Sequence, residues 1–193
     1  MLRSESLSLT RSPSDRWGDF EEQVKIYEKP LYHFAYRLTG DINDAQDLLQ
    51  EGFLKAYRSY HRFQPGTAFD RWMFQIIYRL FVDNYRKKRR RPFISSLDEP
   101  HPHLEQAKTT DVPDYSNIPE DSALRQELGR TIQEALMLIP ENFRVAVILC
   151  DIQGLSYEEI SQVLGCSLGT VRSRIHRGRR LLRELLKPYF REE

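Results

Sequence analysis

Between Arg172 and Arg183 the chain carries six arginines (Arg172, Arg174, Arg177, Arg179, Arg180 and Arg183) and no acid. Guanidinium groups stay charged and only donate, so a run of them binds anions, and their planar forks match phosphate. Solvated surface helices usually alternate charge sign for mutual support. An unbalanced run repels itself, and a polyanion such as DNA relieves that cost. Thr170, Ser173 and His176 stand among the arginines as further polar groups. Most contacts from such a segment go to the phosphate backbone and fewer to bases. The plainer alternative is an arginine-rich surface helix closing a bundle.

The elements that position these groups are written in the flanking residues. Ser156 followed by Glu159 forms a capping box, Ile160 and Leu164 give the helix a buried stripe, and Gly165 ends it. Ser167 caps a second helix. At roughly 100° per residue, Val171, Ile175, Gly178 and Leu182 fall on one stripe. Ser173, His176, Arg177 and Arg180 lie opposite, flanked by Thr170, Arg172 and Arg174. Helix, tight turn and basic second helix make a helix-turn-helix, whose second helix suits the major groove.

Other chemistry finds few residues. Cys150 and Cys166 have no CxxC partner, so Cys150 reads as a small core residue and Cys166 as a turn residue. His101-x-His103 lacks cysteines at ligand spacing and reads as loop histidine. No nucleophilic triad, phosphate loop or zincin pattern is present. The expectation is therefore no enzyme, no metal and no cofactor. With no signal peptide and no long apolar run, the chain is expected to be soluble, cytoplasmic and reduced, without membrane insertion.

The net charge of the 193 residues is only +1, but its distribution matters more. Residues 1–91 hold 17 Lys and Arg against 12 Asp and Glu, residues 92–123 hold 1 against 7, and residues 124–193 hold 11 against 9. An acidic middle hides two basic ends.

The fold class expected is all-α, two small helical domains joined by a flexible acidic linker. Residues 1–19 lack periodicity and read as a disordered tail. Residues 20–91 form the first domain. Phe20, Val24, Tyr27, Leu31, Phe34 and Leu38 trace its first helix, which Pro30 should kink or split. Asn43 is expected to cap the second helix, with Ala45, Leu48, Leu49, Gly52 and Ala56 inward. After the Pro65-Gly66 turn, Thr67 caps a third helix with Phe69, Trp72, Met73, Ile76, Leu80 and Asp83 along one side. That helix ends in the cation run Arg86-Lys-Lys-Arg-Arg-Arg91. Residues 92–122, rich in proline and acid, read as the linker. Residues 123–193 form the second domain, in which Leu124, Leu128, Ile132, Ala135 and Ile139 mark a helix and Pro140 starts the next.

Asp44-Ala-Gln-Asp-Leu-Leu-Gln-Glu-Gly-Phe-Leu-Lys-Ala-Tyr57 resembles the polymerase-binding helix of bacterial sigma factors of the extracytoplasmic-function group, in the sigma-70 family. Phe69-Asp-Arg-Trp-Met-Phe-Gln-Ile-Ile77 is similar to that group's promoter-melting segment. Leu138-Ile-Pro-Glu-Asn-Phe-Arg144, Gly154-Leu-Ser-Tyr-Glu-Glu-Ile160 and Gly169-Thr-Val-Arg-Ser-Arg-Ile175 resemble its C-terminal domain. The resemblance covers roughly residues 20–186 and implies a promoter-specificity subunit of RNA polymerase. It implies that Asp44, Asp47, Leu48, Gln50, Glu51, Leu54 and Tyr57 bind core polymerase at the beta-prime clamp helices, with the beta subunit a further contact. It implies that Phe63, Gln64, Pro65, Gly66, Thr67, Trp72, Arg79, Asp83 and Arg86 serve the −10 element, melting it and capturing a flipped base. It implies that Thr170, Arg172, Ser173, Arg174, His176 and Arg177 read the −35 element. The linker would run through the polymerase's basic channel, and an anti-sigma factor would hold the chain inactive.

The residues leave alternatives open. Asp47 and Glu51 could merely complement a helix dipole. Tyr60, Phe63, Phe69, Trp72 and Phe74 could stack on bases or fill a core, and for Phe69 and Trp72 the core is favoured. The run from Arg86 to Arg91 could be a solubilising helix end. Arg79 stands where the family usually has asparagine, and it either reaches the −10 pocket or pairs with Asp83. A stand-alone operator-binding regulator would need no polymerase-binding helix, and an anti-sigma or adaptor protein would need no basic recognition helix.

Overall fold

The computed structural model describes residues 13–63, 68–90 and 122–190. These residues are helical almost throughout: α1 (Pro13–Thr39), α2 (Ile42–Ser59), α3 (Phe69–Arg90), α4 (Ser122–Leu138), α5 (Glu141–Val147), α6 (Tyr157–Leu164) and α7 (Leu168–Leu186). Short 3-10 turns follow α2 and α7, and a π-helical turn, Ile148–Ile152, follows α5. The all-α architecture of two small helical domains is the one the sequence suggests. The tail up to residue 12, the cap Thr67, the Pro65-Gly66 turn, residues 91–121 and the histidines His101 and His103 lie outside the described residues.

The first domain packs α1, α2 and α3 against one another. Leu31, Phe34 and Leu38 from α1 meet Ala45, Leu48, Leu49 and Ala56 from α2 and Phe69, Met73, Phe74 and Ile77 from α3, all buried. Three sequence expectations need correction. The helical start at Pro13 lies inside the segment read as a disordered tail. Pro30 does not split the helix, because α1 is one element through Thr39. Proline removes only the bond to the Ile26 carbonyl. Ile26 faces solvent, while buried Leu31 and Phe34 hold the next turn against the core. The cap of α2 is Asp41, whose carboxylate accepts from the Asp44 amide at 2.9 Å, and not Asn43. Gly40 at φ +77° ends α1 so abruptly that only Gly40 and Asp41 stand between the helices. A further difference is at the end of the α3 stripe, where Asp83 is exposed rather than inward.

The second domain is built on α5 and α7. Gly178 makes their close approach possible, because a Cβ there would lie 2.5 Å from Val147 Cγ2 and 3.2 Å from the Phe143 carbonyl oxygen. Around this crossing lie Val145, Ala146, Ile148, Leu149, Ile160, Val163, Val171 and Ile175. In α6 the second fully inward residue is Val163, one position before the expected Leu164, which is half-buried.

One buried cation ties the domains together. Arg144 is 7% exposed. It donates through Nη1 to the Leu38 carbonyl at 2.7 Å and through Nη2 to the Met137 and Ile139 carbonyls at 3.2 and 3.3 Å. Burial pulls its pKa down and Glu141 opposes the shift. Replacing Arg144 with methionine leaves those carbonyls without their donor, so we expect a loss of about 2–4 kcal/mol of stability. Urea unfolding of Arg144→Met measures it, and a midpoint equal to wild type would show the contacts to be energetically idle.

Candidate nucleic-acid interface

Local chemistry builds the helix-turn-helix as its sequence suggests. Ser156 accepts from the Glu159 amide at 3.3 Å, and the Glu159 carboxylate accepts from the Ser156 amide at 2.8 Å, completing the capping box. Gly165 takes the left-handed conformation at φ +61°. Ser167 caps α7 by accepting from the Thr170 amide at 3.3 Å. Val171, Ile175 and Gly178 then face inward.

The polar groups of α7 divide by what they touch. Arg172, Ser173, His176, Arg177 and Arg180 are exposed. Thr170 is half-buried, with its hydroxyl 3.0 Å from that of Ser167. Arg174 is half-buried and reaches Cys166 Sγ at 3.8 Å. Arg179 belongs to a structural pair. Its Nε donates to Asp151 Oδ2 at 3.0 Å, its Nη2 donates to Asp151 Oδ1 and, at 3.4 Å, to Cys150 Sγ, and the Asp151 bond raises its pKa. The sequence reading counted Arg179 with its neighbours, since a partner 28 positions away leaves no local signal. Cys150 is half-buried, and burial raises its thiol pKa.

In the first domain, Tyr60, Phe63 and Trp72 form a half-buried aromatic group. Tyr60 and Phe63 stack with centroids 5.5 Å apart, and Phe63 lies 5.0 Å from Trp72. Phe69 and Phe74 are core. Gln64, Pro65, Gly66 and Thr67 lie outside the described residues. Arg79, Asp83 and Arg86 are exposed along α3. The Arg79–Asp83 ion pair is absent, and Arg79 meets no carboxylate among the described residues.

A second surface lies on α2, where Asp44, Asp47, Gln50 and Glu51 are exposed beside Leu54, which is 59% exposed, and Tyr57. Asn84 donates to Glu51 at 3.4 Å. Leu48, grouped with these residues by resemblance, is 4% exposed and packs in the core, so it contributes no surface here. No helix of the described residues is long and apolar enough to cross a membrane.

Comparison with known proteins agrees with this geometry. Residues 24–91 match the family model of sigma-70 region 2 and residues 129–182 that of sigma-70 region 4. The chain is similar to the ECF RNA polymerase sigma factor SigE of Mycolicibacterium smegmatis, 43% identical over 173 residues, which are 90% of this chain and 63% of that protein. The ECF sigma factor SigW of Bacillus subtilis is 32% identical over 193 residues, 97% of each chain. Among solved structures, the sigma factor RpoE of Bartonella quintana, in complex with the anti-sigma factor NepR, gives a TM-score of 0.69 at 27% identity. That likeness covers 88% of this chain and 97% of RpoE.

The split between Arg177 and Arg179 is testable. Arg179→Ala should cost about 0.5–1 kcal/mol in thermal unfolding, as a well-aligned exposed pair does, and leave the salt dependence of DNA binding unchanged. Arg177→Ala should leave stability alone and reduce the salt slope of duplex binding by about one unit. The reverse pattern would reassign both residues.

Proposed function

We propose, from the premise that this chain belongs to the extracytoplasmic-function group of the sigma-70 family, that its two domains divide promoter recognition between them. The chain is a sigma factor that directs promoter-specific transcription initiation. Residues 123–193 read the −35 element, with α7 in the major groove and Arg172, Ser173, His176 and Arg177 turned toward DNA, flanked by Thr170 and Arg174. Residues 20–91 bind core polymerase and open the −10 element, the latter through Phe63, Trp72 and the loop Gln64–Thr67, with Arg79, Asp83 and Arg86 alongside. Residues 92–122 serve as the acidic linker. The protein acts in the cytoplasm without catalysis, metal or cofactor of its own. An anti-sigma factor restrains it, as the complex of the Bartonella RpoE with NepR suggests for a protein of this fold.

The observation that carries the polymerase-binding reading is Leu54. On a helix whose Leu48 and Leu49 are buried, Leu54 is 59% exposed and stands near exposed Asp47, Gln50 and Glu51. An exposed leucine with Glu51 one turn and Asp47 two turns before it suits a partner helix that offers apolar contacts and arginines, here the beta-prime clamp helices. Leu54→Asp should abolish capture of core polymerase in a pulldown while circular dichroism stays that of wild type. Folded Leu54→Asp that still binds at full affinity would move the interface elsewhere. Leu48→Asp makes a poor probe, since a charge in the core unfolds the domain.

Arg79 supplies a second test. With no carboxylate holding it, its fork can reach a base that presents acceptors, or a neighbouring phosphate. Arg79→Asn should change base preference across −10 variants in run-off transcription, with stability within about 0.5 kcal/mol of wild type. An unchanged preference would remove Arg79 from the specificity determinants.

A further inference from the structure

Where α3 meets α6, Arg71 Nη2 pairs with Glu159 Oε1 at 2.7 Å, and Gln75 donates to the Gln162 carbonyl at 3.1 Å. Farther along α3 the two domains share a cavity of about 470 Å³. Tyr78, Phe81, Tyr85 and Arg86 line it from α3, Glu141 and Asn142 from α5, and Arg174 from α7. That volume is ordinary for a small-molecule site. Such sites favour junctions between domains, with aromatic walls and a few converging polar groups.

The lining divides by the chemistry it can recognise. Phe81 and Tyr85 lie one turn apart, with ring centroids 6.4 Å apart and planes 30° from parallel, and Tyr78 extends the wall they form. A wall of rings takes a flat ligand by stacking. Arg86 and Arg174 come from different helices, and neither pairs with a carboxylate among the described residues. Arg174 reaches the weak acceptor Cys166 Sγ at 3.8 Å. Two guanidinium forks converging on one space suit a pair of phosphates. Asn142 carries an amide oxygen beside an NH₂ group, the combination that matches the donor and acceptor edge of a purine. Glu141 repels phosphate and accepts from N–H groups, which drives the phosphates toward the arginines and the base toward α5. A carboxylate accepts several bonds at once, so Glu141 keeps the contacts it already makes.

We propose that this cavity binds a purine nucleoside diphosphate, with the base stacked on Phe81 and Tyr85 and read by Asn142, and the phosphates held by Arg86 and Arg174. An inorganic anion would satisfy the guanidiniums and leave the aromatic wall bare. An uncharged ring would do the reverse. A nucleotide carries both parts in one molecule and uses every kind of group that the lining offers. The site does not depend on the promoter reading, because Phe81, Tyr85 and Asn142 have no part in −10 or −35 recognition. Arg86 and Arg174 alone are shared with the proposed DNA surfaces.

Titration calorimetry on the full chain tests the site, with guanosine and adenosine diphosphates as probes. Pyrophosphate and ribose 5-phosphate, at the same ionic strength, report attraction to the anion alone. The expected result is one nucleotide per chain, bound about tenfold more tightly than pyrophosphate, since stacking adds that much. Tyr85→Ala should weaken nucleotide binding about tenfold and Tyr85→Phe should leave it unchanged, because the ring and not the hydroxyl stacks. Asn142→Ala should weaken nucleotide binding without altering that of pyrophosphate, whereas Arg174→Ala should weaken both. Circular dichroism and thermal unfolding check the fold of each variant, and Asn142→Ala, exposed at its position, serves if Tyr85→Ala fails to fold. Pyrophosphate that binds as tightly as both nucleotides overturns the site. So does the absence of nucleotide binding at millimolar concentration, or a folded Asn142→Ala or Tyr85→Ala chain that binds nucleotide as wild type does.

Discussion

A guanidinium buried as deeply as that of Arg144, with no carboxylate in salt-bridge range among the described residues, must find compensation in backbone dipoles. It finds them at two helix ends together, since the Leu38 carbonyl closes α1 and the Met137 and Ile139 carbonyls close α4. Each helix C-terminus carries roughly half a negative charge spread over carbonyls that lack amide partners. A side chain without donors would leave those oxygens buried and unmet. Arginine suits the task because burial lowers its pKa from so high a value that it stays charged at neutral pH. The ends of two helices from different domains are thereby aimed at one point.

The placement of α7 follows from that point. Arg144 lies on α5, a helix of seven residues, too short to persist without tertiary support. Its position is transmitted to α7 at the Val147–Gly178 contact, where the absent side chain lets the helices approach. Arg179 and Asp151 fasten α7 to the π-helical turn that follows α5. The two fastenings sit on α7 C-terminal to Arg172, Ser173, His176 and Arg177.

What could be read from the sequence is what depends on neighbours within a few residues. The capping box at Ser156, the glycine stop at Gly165, the Ser167 cap and the inner stripe from Ala45 to Ala56 are local, and the structure has them as expected. What escaped depends on distant partners or on backbone detail. Arg179 differs from Arg177 only through Asp151, and nothing near Arg71 in the chain points to Glu159. The cap at Asp41 turned on how sharply α1 ends, and the continuity of α1 through Pro30 on the packing of Leu31 and Phe34. Leu48 and Leu54 are six residues apart, about 600° of helical rotation, which turns them about 120° away from each other around the helix. That geometry was available in the sequence, and it separates the core leucine from the exposed one.

The two inter-domain contacts differ in character. The contact of α1 with α4 and α5 includes a buried charge-assisted bond and apolar cover, and it resists separation. Between α3 and α6 the Arg71–Glu159 and Gln75–Gln162 contacts are partly or wholly exposed, and each partner can turn to water instead. Such contacts contribute little energy and much geometry.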